Sequence, residues 1–260
     1  MSSGGFAGGT LVLLRSGVYA TVTVATTVVW SVLCLCTFPL PVHLRYRIIT
    51  QWTHFNLWWL AVSCGLRYEV EGRENIPPGP AIVMSKHQSA WETMGLQLIF
   101  PEHTWVLKRE LLRVPFLGWA LALLDPVAID RAAGRRAVEQ LVEQGRRRLQ
   151  QGRWLVIFPE GTRVAPGHSG RYRIGGAVLA KRTGYPIVPV AHNAGDFWPR
   201  RSFRKRPGVI RVVIGPPIDP AGLPVGQIIG RVEEWIEDRM RSISFAYGAP
   251  TSMENHAEQQ

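Results

Sequence analysis

Cysteine is nearly missing from this chain: its 260 residues include three, Cys34, Cys36 and Cys64, all inside apolar segments. Three is not the even count of a disulfide framework, and none has the spacing of a metal ligand, so packing roles in a reducing compartment are expected. The seven histidines form neither an H-E-x-x-H pair nor a Cys/His cluster, so no metal is expected. Lysine is scarce as well. Of 30 basic residues 26 are arginine, against 19 acidic residues, for a net charge of +11. Guanidinium grips phosphate through paired hydrogen bonds, so the partner is expected to be an anionic membrane surface or nucleic acid.

Charge itself is absent from Ser16 to Val42, a run of 27 residues bounded by Arg15 before it and by His43, Arg45 and Arg47 after it. As helix the run would be about 40 Å long, against a hydrocarbon core of roughly 30 Å, and enough remains to span if Pro39 ends it early. It exceeds a signal-peptide core and lacks a small-x-small cleavage site, so a retained membrane helix is expected. The heavier basic flank follows it, which puts the rest of the chain in the cytoplasm by the positive-inside tendency. A second apolar segment, Ile48 to Leu66, is interrupted by Gln51, His54 and Asn56 and carries Trp52, Trp58 and Trp59. It suits the water-lipid interface, with a buried helix as the other reading. Residues 1–66 are therefore expected to be anchoring helices, 67–247 an α/β domain, and 248–260 a disordered polar tail.

Beyond Leu66 short apolar runs alternate with turn signals. Strands are expected at 81–85, 104–108, 154–158, 186–190 and 209–215, and helices at 135–150 and 225–243. This alternation predicts an α/β fold with a mostly parallel sheet flanked by helices. Ligands collect at the carboxyl ends of such strands, where helices begin with exposed amides. The residues there read KHQSAWET, KRELLRVPFLG, PEGTR and AHNAGDF.

In HQSAWE, five residues of continuous helix rotate about 500°, so His87 and Glu92 meet only across a turn. Ser89-x-x-Glu92 ahead of Met94, Leu96 and Leu98 supplies one as a capping box, with Ser89 at the N-cap. A carboxylate on one imidazole nitrogen fixes the tautomer, and the other nitrogen can then activate a hydroxyl. The bland alternative is a loop histidine and a glutamate that only caps. Pro159-Glu160-Gly161-Thr162-Arg163 places a turn, a hydroxyl and a guanidinium at one strand end, suited to an anionic ligand, with an ordinary polar turn as the alternative.

HQSAWE, KRELLRVPFLGW, FPEGTR and PIVPVAHN stand in the order and approximate spacing of the glycerolipid acyltransferases, and the chain most resembles bacterial 1-acylglycerol-3-phosphate acyltransferases. The resemblance covers roughly Ile76 to Ile218. It implies that His87 is the base deprotonating an acceptor hydroxyl and that Glu92, where the family usually has Asp, orients it. It further implies that Lys108, Glu160, Gly161, Thr162 and Arg163 bind the glycerol phosphate, that Pro189 lines the site, and that Arg131 and Arg173 fall where the family tends to have basic residues. The expected reaction moves an acyl chain from acyl-CoA or acyl-carrier protein, as co-substrate and not cofactor, to the sn-2 hydroxyl of 1-acyl-glycerol-3-phosphate. The implied location is the bacterial inner membrane, with the catalytic domain on its cytoplasmic face.

Other readings are kept. Another lysolipid could be the acceptor. PGHSGR, Pro166 to Arg171, approaches a G-x-S-x-G nucleophile elbow, but Arg171 stands where the last glycine belongs and no strand precedes it. A membrane-anchored module that binds anionic lipid without catalysis would use Arg200, Arg201, Arg204, Lys205 and Arg206. Nucleic acid is not expected, because no recognised motif accompanies that run.

Overall fold

The computed structural model describes residues 4–247, with side chains from residue 9 on; the tail expected at 248–260 lies outside the described residues. Two long helices come first, α1 (Gly4–Leu35) and α2 (Val42–Cys64), broken by a turn around Pro39 and capped at Pro41. Proline there has no N–H to give and a fixed φ, so the chain reverses and restarts as helix.

Seven strands follow: β1 (Leu66–Glu71), β2 (Ile82–Ser85), β3 (His103–Lys108), β4 (Val127–Ile129), β5 (Trp154–Ile157), β6 (Ile187–His192) and β7 (Gly208–Ile214). They form one sheet in the order β1-β7-β6-β2-β5-β3-β4. Five neighbouring strands, β6 to β4, run parallel, while β7 pairs antiparallel with β6 and carries β1 parallel to itself. The expected strands and both expected helices form. Sequence reading missed β1 and β4, because β1 alternates charged and apolar residues on an edge and β4 is three residues long. The helix expected to open at Ser89 forms as α3 (Trp91–Ile99), while the short helices α4 (Leu117–Leu123), α6 (Gly175–Thr183) and α7 (Ala194–Phe197) were missed.

The sheet has a core on each face. On one side α5 (Arg135–Gln150), α6 and α8 (Val225–Ile243) cover Ile82, Met84, Leu155 and Ile157. On the other, α2 and α3 cover Val83, Val156, Val188 and Val190 through Leu57, Leu60, Leu96 and Trp91. Strand side chains alternate between the faces, and both are buried, so the central strands read as unbroken apolar runs.

Over Gly9–Leu35 α1 is long and apolar enough to cross a bilayer. It nevertheless packs lengthwise on the protein. Ser16, Tyr19, Ser31 and Cys34 are buried along one stripe, at helical spacing, whereas Leu14, Val24, Val29 and Leu33 stand more than half exposed on the opposite face. Ser16 Oγ accepts from Lys205 N–H at 2.9 Å, and the Lys205 ammonium lies over the rings of Tyr19, Trp198 and Phe203. The second helix is half buried: Tyr46, Ile49, Thr53, Leu57 and Leu60 pack inward, while Phe55, Trp58 and Val62 face outward. Of the cysteines expected to be packed, Cys36 is exposed, because it falls in the turn after α1.

Candidate active site

The parallel strands all end at one edge of the sheet, and the polar residues gather there. The chain leaves β2 through Lys86, His87, Gln88 and Ser89, then turns into α3 at Trp91. The Trp91 N–H donates to Ser89 Oγ at 3.1 Å, and the Ser89 N–H donates back to the Glu92 carboxylate at 2.9 and 3.0 Å. The reciprocal turn thus forms, but the helix is capped at Ala90, one residue later than Ser89, because Ser89 Oγ reaches the first helical N–H instead of that of Glu92.

That turn brings His87 and Glu92 together. Nδ1 of His87 lies 2.7 Å from Glu92 Oε1, and the Gln88 N–H adds a further donor at 3.1 Å. Glu92 is fully buried. Burial works against its charge, yet the His87 hydrogen bond, the imidazoles of His192 and His87, and the Ser89 N–H hold the carboxyl below its ordinary value. A charged carboxylate makes Nδ1 the protonated nitrogen and leaves Nε2 with its lone pair. The ring is 14 % exposed, stacks on Phe158 at 4.0 Å, and lines a cavity.

The backbone of His87 is held as firmly as its ring. Its N–H donates to Glu160 Oε2 at 2.8 Å, and its carbonyl accepts from the Val164 N–H at 2.8 Å. Beneath it His192 donates from Nε2 to the Lys86 carbonyl at 2.8 Å, and burial pushes that imidazole's pKa down.

The loop after β5 turns at Gly161, whose φ of +72° favours glycine, and a Cβ there would stand 2.8 Å from Arg173 Nε. Around this turn stand three guanidiniums. Arg131 donates to the Gly161 carbonyl, Arg173 passes beside Gly161, and Arg163 lines the cavity with its Nε unpartnered. None of the three forms an ion pair among the described residues. Three unneutralised cations at one turn make a receptor for a multiply charged anion.

The cavity measures about 430 Å³. Apart from His87, Arg131 and Arg163 its walls are uncharged: Thr23, Thr27 and Trp30 from α1, Trp52 from α2, Met94 from α3, Trp105 from β3 and Ala120 from α4. A basic group and two cations therefore open onto a largely apolar chamber of ligand size.

Comparison with known proteins decides the family. The acyltransferase family model matches residues 67–193. The 1-acyl-sn-glycerol-3-phosphate acyltransferase of Pseudomonas aeruginosa is 45% identical over 240 residues, 90% of this chain and 93% of that protein. The chain belongs to the acyltransferase family. The human 1-acyl-sn-glycerol-3-phosphate acyltransferase alpha is 33% identical over 61% of this chain and 57% of its own length. The crystal structure of the 1-acyl-sn-glycerophosphate acyltransferase of Thermotoga maritima has the same fold, with a TM-score of 0.73 and 24% identity over 88% of this chain and 95% of that one.

In this acyltransferase two residues expected to touch substrate are placed elsewhere. Glu160 is buried at 4 % and turns its carboxylate under the loop, toward Lys86 and the His87 N–H, because β5 ends directly below that loop. Pro189 lies mid-strand in β6 opposite Met84, beside Gly215, on the sheet face away from the cavity. Thr162 is exposed on the Gly161 turn. Lys108 closes β3 half-exposed, with its ammonium 3.4 Å from Glu110 Oε1, next to Leu107 and Leu111 of the cavity wall. Ser169 of the elbow-like stretch is exposed and has no hydrogen-bonded base among the described residues.

Sequence reading missed the α1 wall, Phe158 and the buried Lys86. The first had a signal: Ser16, Tyr19, Thr23, Thr27 and Ser31 recur every three or four residues through a run read only for its apolarity.

Proposed function

We propose that the chain transfers an acyl group from a thioester to the sn-2 hydroxyl of 1-acyl-glycerol-3-phosphate, producing phosphatidic acid. The observation that carries this is the His87 imidazole, buttressed by Glu92 and facing an apolar cavity beside Arg131 and Arg163. Nε2 takes the hydroxyl proton as the oxygen attacks the acyl carbonyl; the imidazolium, paired with Glu92, then delivers that proton to the departing thiolate. One C–O bond forms, one C–S bond breaks, and no acyl-enzyme is required. The guanidiniums of Arg163, Arg131 and Arg173 hold the acceptor's phosphate and so set its hydroxyl beside Nε2. Lys108 joins them by exchanging Glu110 for phosphate, since an exposed pair of that length costs little to break. Gly161 lets Arg173 approach, Thr162 offers its hydroxyl, and Glu160 acts beneath His87.

The acyl chain occupies the apolar cavity. The donor is acyl-CoA or acyl-carrier protein, a co-substrate, so no resident cofactor enters the reaction. The outward faces of α1 and α2, with Leu111, Val114 and Trp119, form an apolar surface that seats the protein in the bacterial inner membrane from its cytoplasmic side. Because α1 is packed lengthwise on the catalytic domain, it lies against that domain within the membrane surface layer. Purified protein incubated with 1-acyl-glycerol-3-phosphate and labelled acyl-CoA or acyl-carrier protein should form labelled phosphatidic acid; no product with either donor would overturn the reading.

A further inference from the structure

Lys86 precedes the base His87 and points the other way. Its side chain is completely buried; its ammonium donates to Glu237 Oε1 at 2.6 Å and to the His168 carbonyl at 3.1 Å, and pairs with Glu160 Oε1 at 2.8 Å. Its backbone is pinned as well, the N–H to the Val190 carbonyl at 3.0 Å and the carbonyl by His192 Nε2. Glu160 closes a short ring: one oxygen meets Lys86 and the other accepts the N–H of His87.

Glu237 is the distant member of this cluster. It comes from α8, 151 residues further along the chain and outside residues 67–193 matched by the family model. Its carboxylate also accepts the hydroxyls of Tyr172 at 2.9 Å and Tyr247 at 2.8 Å. A buried ammonium between two carboxylates is costly unless every partner is in place, so such a cluster tolerates one geometry and transmits displacement.

We infer that Glu237, with Tyr172 and Tyr247 orienting it, is a positioning residue for the catalytic base: through Lys86 and Glu160 it fixes the peptide that carries His87. The C-terminal helix thereby becomes part of the catalytic apparatus without touching substrate. This rests on His87 acting as the base, and the test separates the two ideas. Glu237→Gln keeps the shape and can still accept from Lys86 while removing the charge; Tyr247→Phe removes only the hydroxyl that reaches Glu237 Oε2 and the His168 carbonyl at the margin of the cluster and is the gentler change.

Hydrogen exchange over residues 86–90 reads the coupling without any reaction. Both variants should exchange the His87 amide faster than wild type, Glu237→Gln by about tenfold or more. In the acyl-transfer assay, kcat per folded enzyme should fall about tenfold or more in Glu237→Gln, and less in Tyr247→Phe, with both substrate KM values within about twofold of wild type. The double variant should match Glu237→Gln alone, since both changes act through one carboxylate. Unchanged exchange at His87, or a loss of melting temperature with unchanged kcat per folded molecule, would show that Glu237 only fastens α8 and would overturn the inference. Faster exchange in a protein whose wild type transfers no acyl group would keep the coupling and remove its catalytic meaning.

Discussion

Replacing Glu92 by glutamine isolates the charge beside the base. The imidazolium formed as His87 takes the acceptor's proton faces a carboxylate 2.7 Å from Nδ1 in a fully buried setting. Unit charges about 4 Å apart at an effective dielectric constant of about 20 attract by about 4 kcal/mol, and glutamine forfeits most of that. At about 1.4 kcal/mol per tenfold, kcat should fall by about two to three orders of magnitude. In the proposed reaction the acceptor's phosphate rests on the guanidiniums and not on Glu92, so its KM should stay within about threefold. Folding is affected as well. The carboxylate accepts from His87, Gln88 and Ser89, the last through both oxygens, and a carboxamide must turn its NH2 toward one of these donors. One unmet buried donor costs about 1–3 kcal/mol, a drop of several degrees in melting temperature. The penalty depends on pH with a defined sign. Against its burial, the hydrogen bond from His87 and its charged surroundings hold the Glu92 carboxyl below its ordinary range, so its contribution is complete above that range and fades as pH falls through the lower, folded-state value. The melting-temperature gap between wild type and Glu92→Gln should therefore be widest at neutral pH and narrow as pH falls below the ordinary glutamate range. Steady-state acyl transfer and calorimetry of the same preparations check both parts. A kcat within tenfold of wild type would refute the charge-stabilised imidazolium.

Arg163→Ala should raise KM for the phosphorylated acceptor about ten- to a hundredfold, the worth of a charge-assisted contact, with kcat and donor KM little changed; a rise confined to the donor KM would contradict the phosphate role. Ala120→Trp fills the chamber from α4, so kcat/KM for long acyl donors should drop at least about tenfold while short donors are spared, measured across a chain-length series. A uniform loss would mean the acyl chain lies elsewhere. Val29→Asp and Trp58→Asp place charge on the outward faces of α1 and α2, and should lower flotation with anionic vesicles at unchanged melting temperature.

Legibility followed distance along the chain. The strand pattern was readable because the buried parallel strands are unbroken apolar runs, and the His87–Glu92 meeting was readable because a local turn makes it. Lys108 and Arg163 were found as strand-end cations and Arg131 and Arg173 through the family resemblance, though sequence could not say that three of the four would converge on the Gly161 turn. Glu160 was misplaced for a related reason. A carboxylate in a polar turn resembles a ligand contact until Lys86, 74 residues earlier, is seen beneath the neighbouring strand's loop. Edge strands β1 and β4 escaped because charge alternation and brevity hide them, and the role of α1 escaped because outward-facing and protein-facing stripes share one apolar run.

That last feature bears on how the enzyme can be handled. Removing residues 1–35 to gain solubility is tempting, because the segment reads as a detachable tether. Yet Tyr19, Thr23, Thr27, Trp30 and Ser31 form one side of the chamber. A shortened chain would present an open trough in place of an enclosed one, with Trp198 and the Lys205 ammonium stripped of their cover. Solubility is better sought by recolouring the outward stripe at Leu14, Val24, Val29 and Leu33 with polar side chains, leaving the inward stripe as it stands.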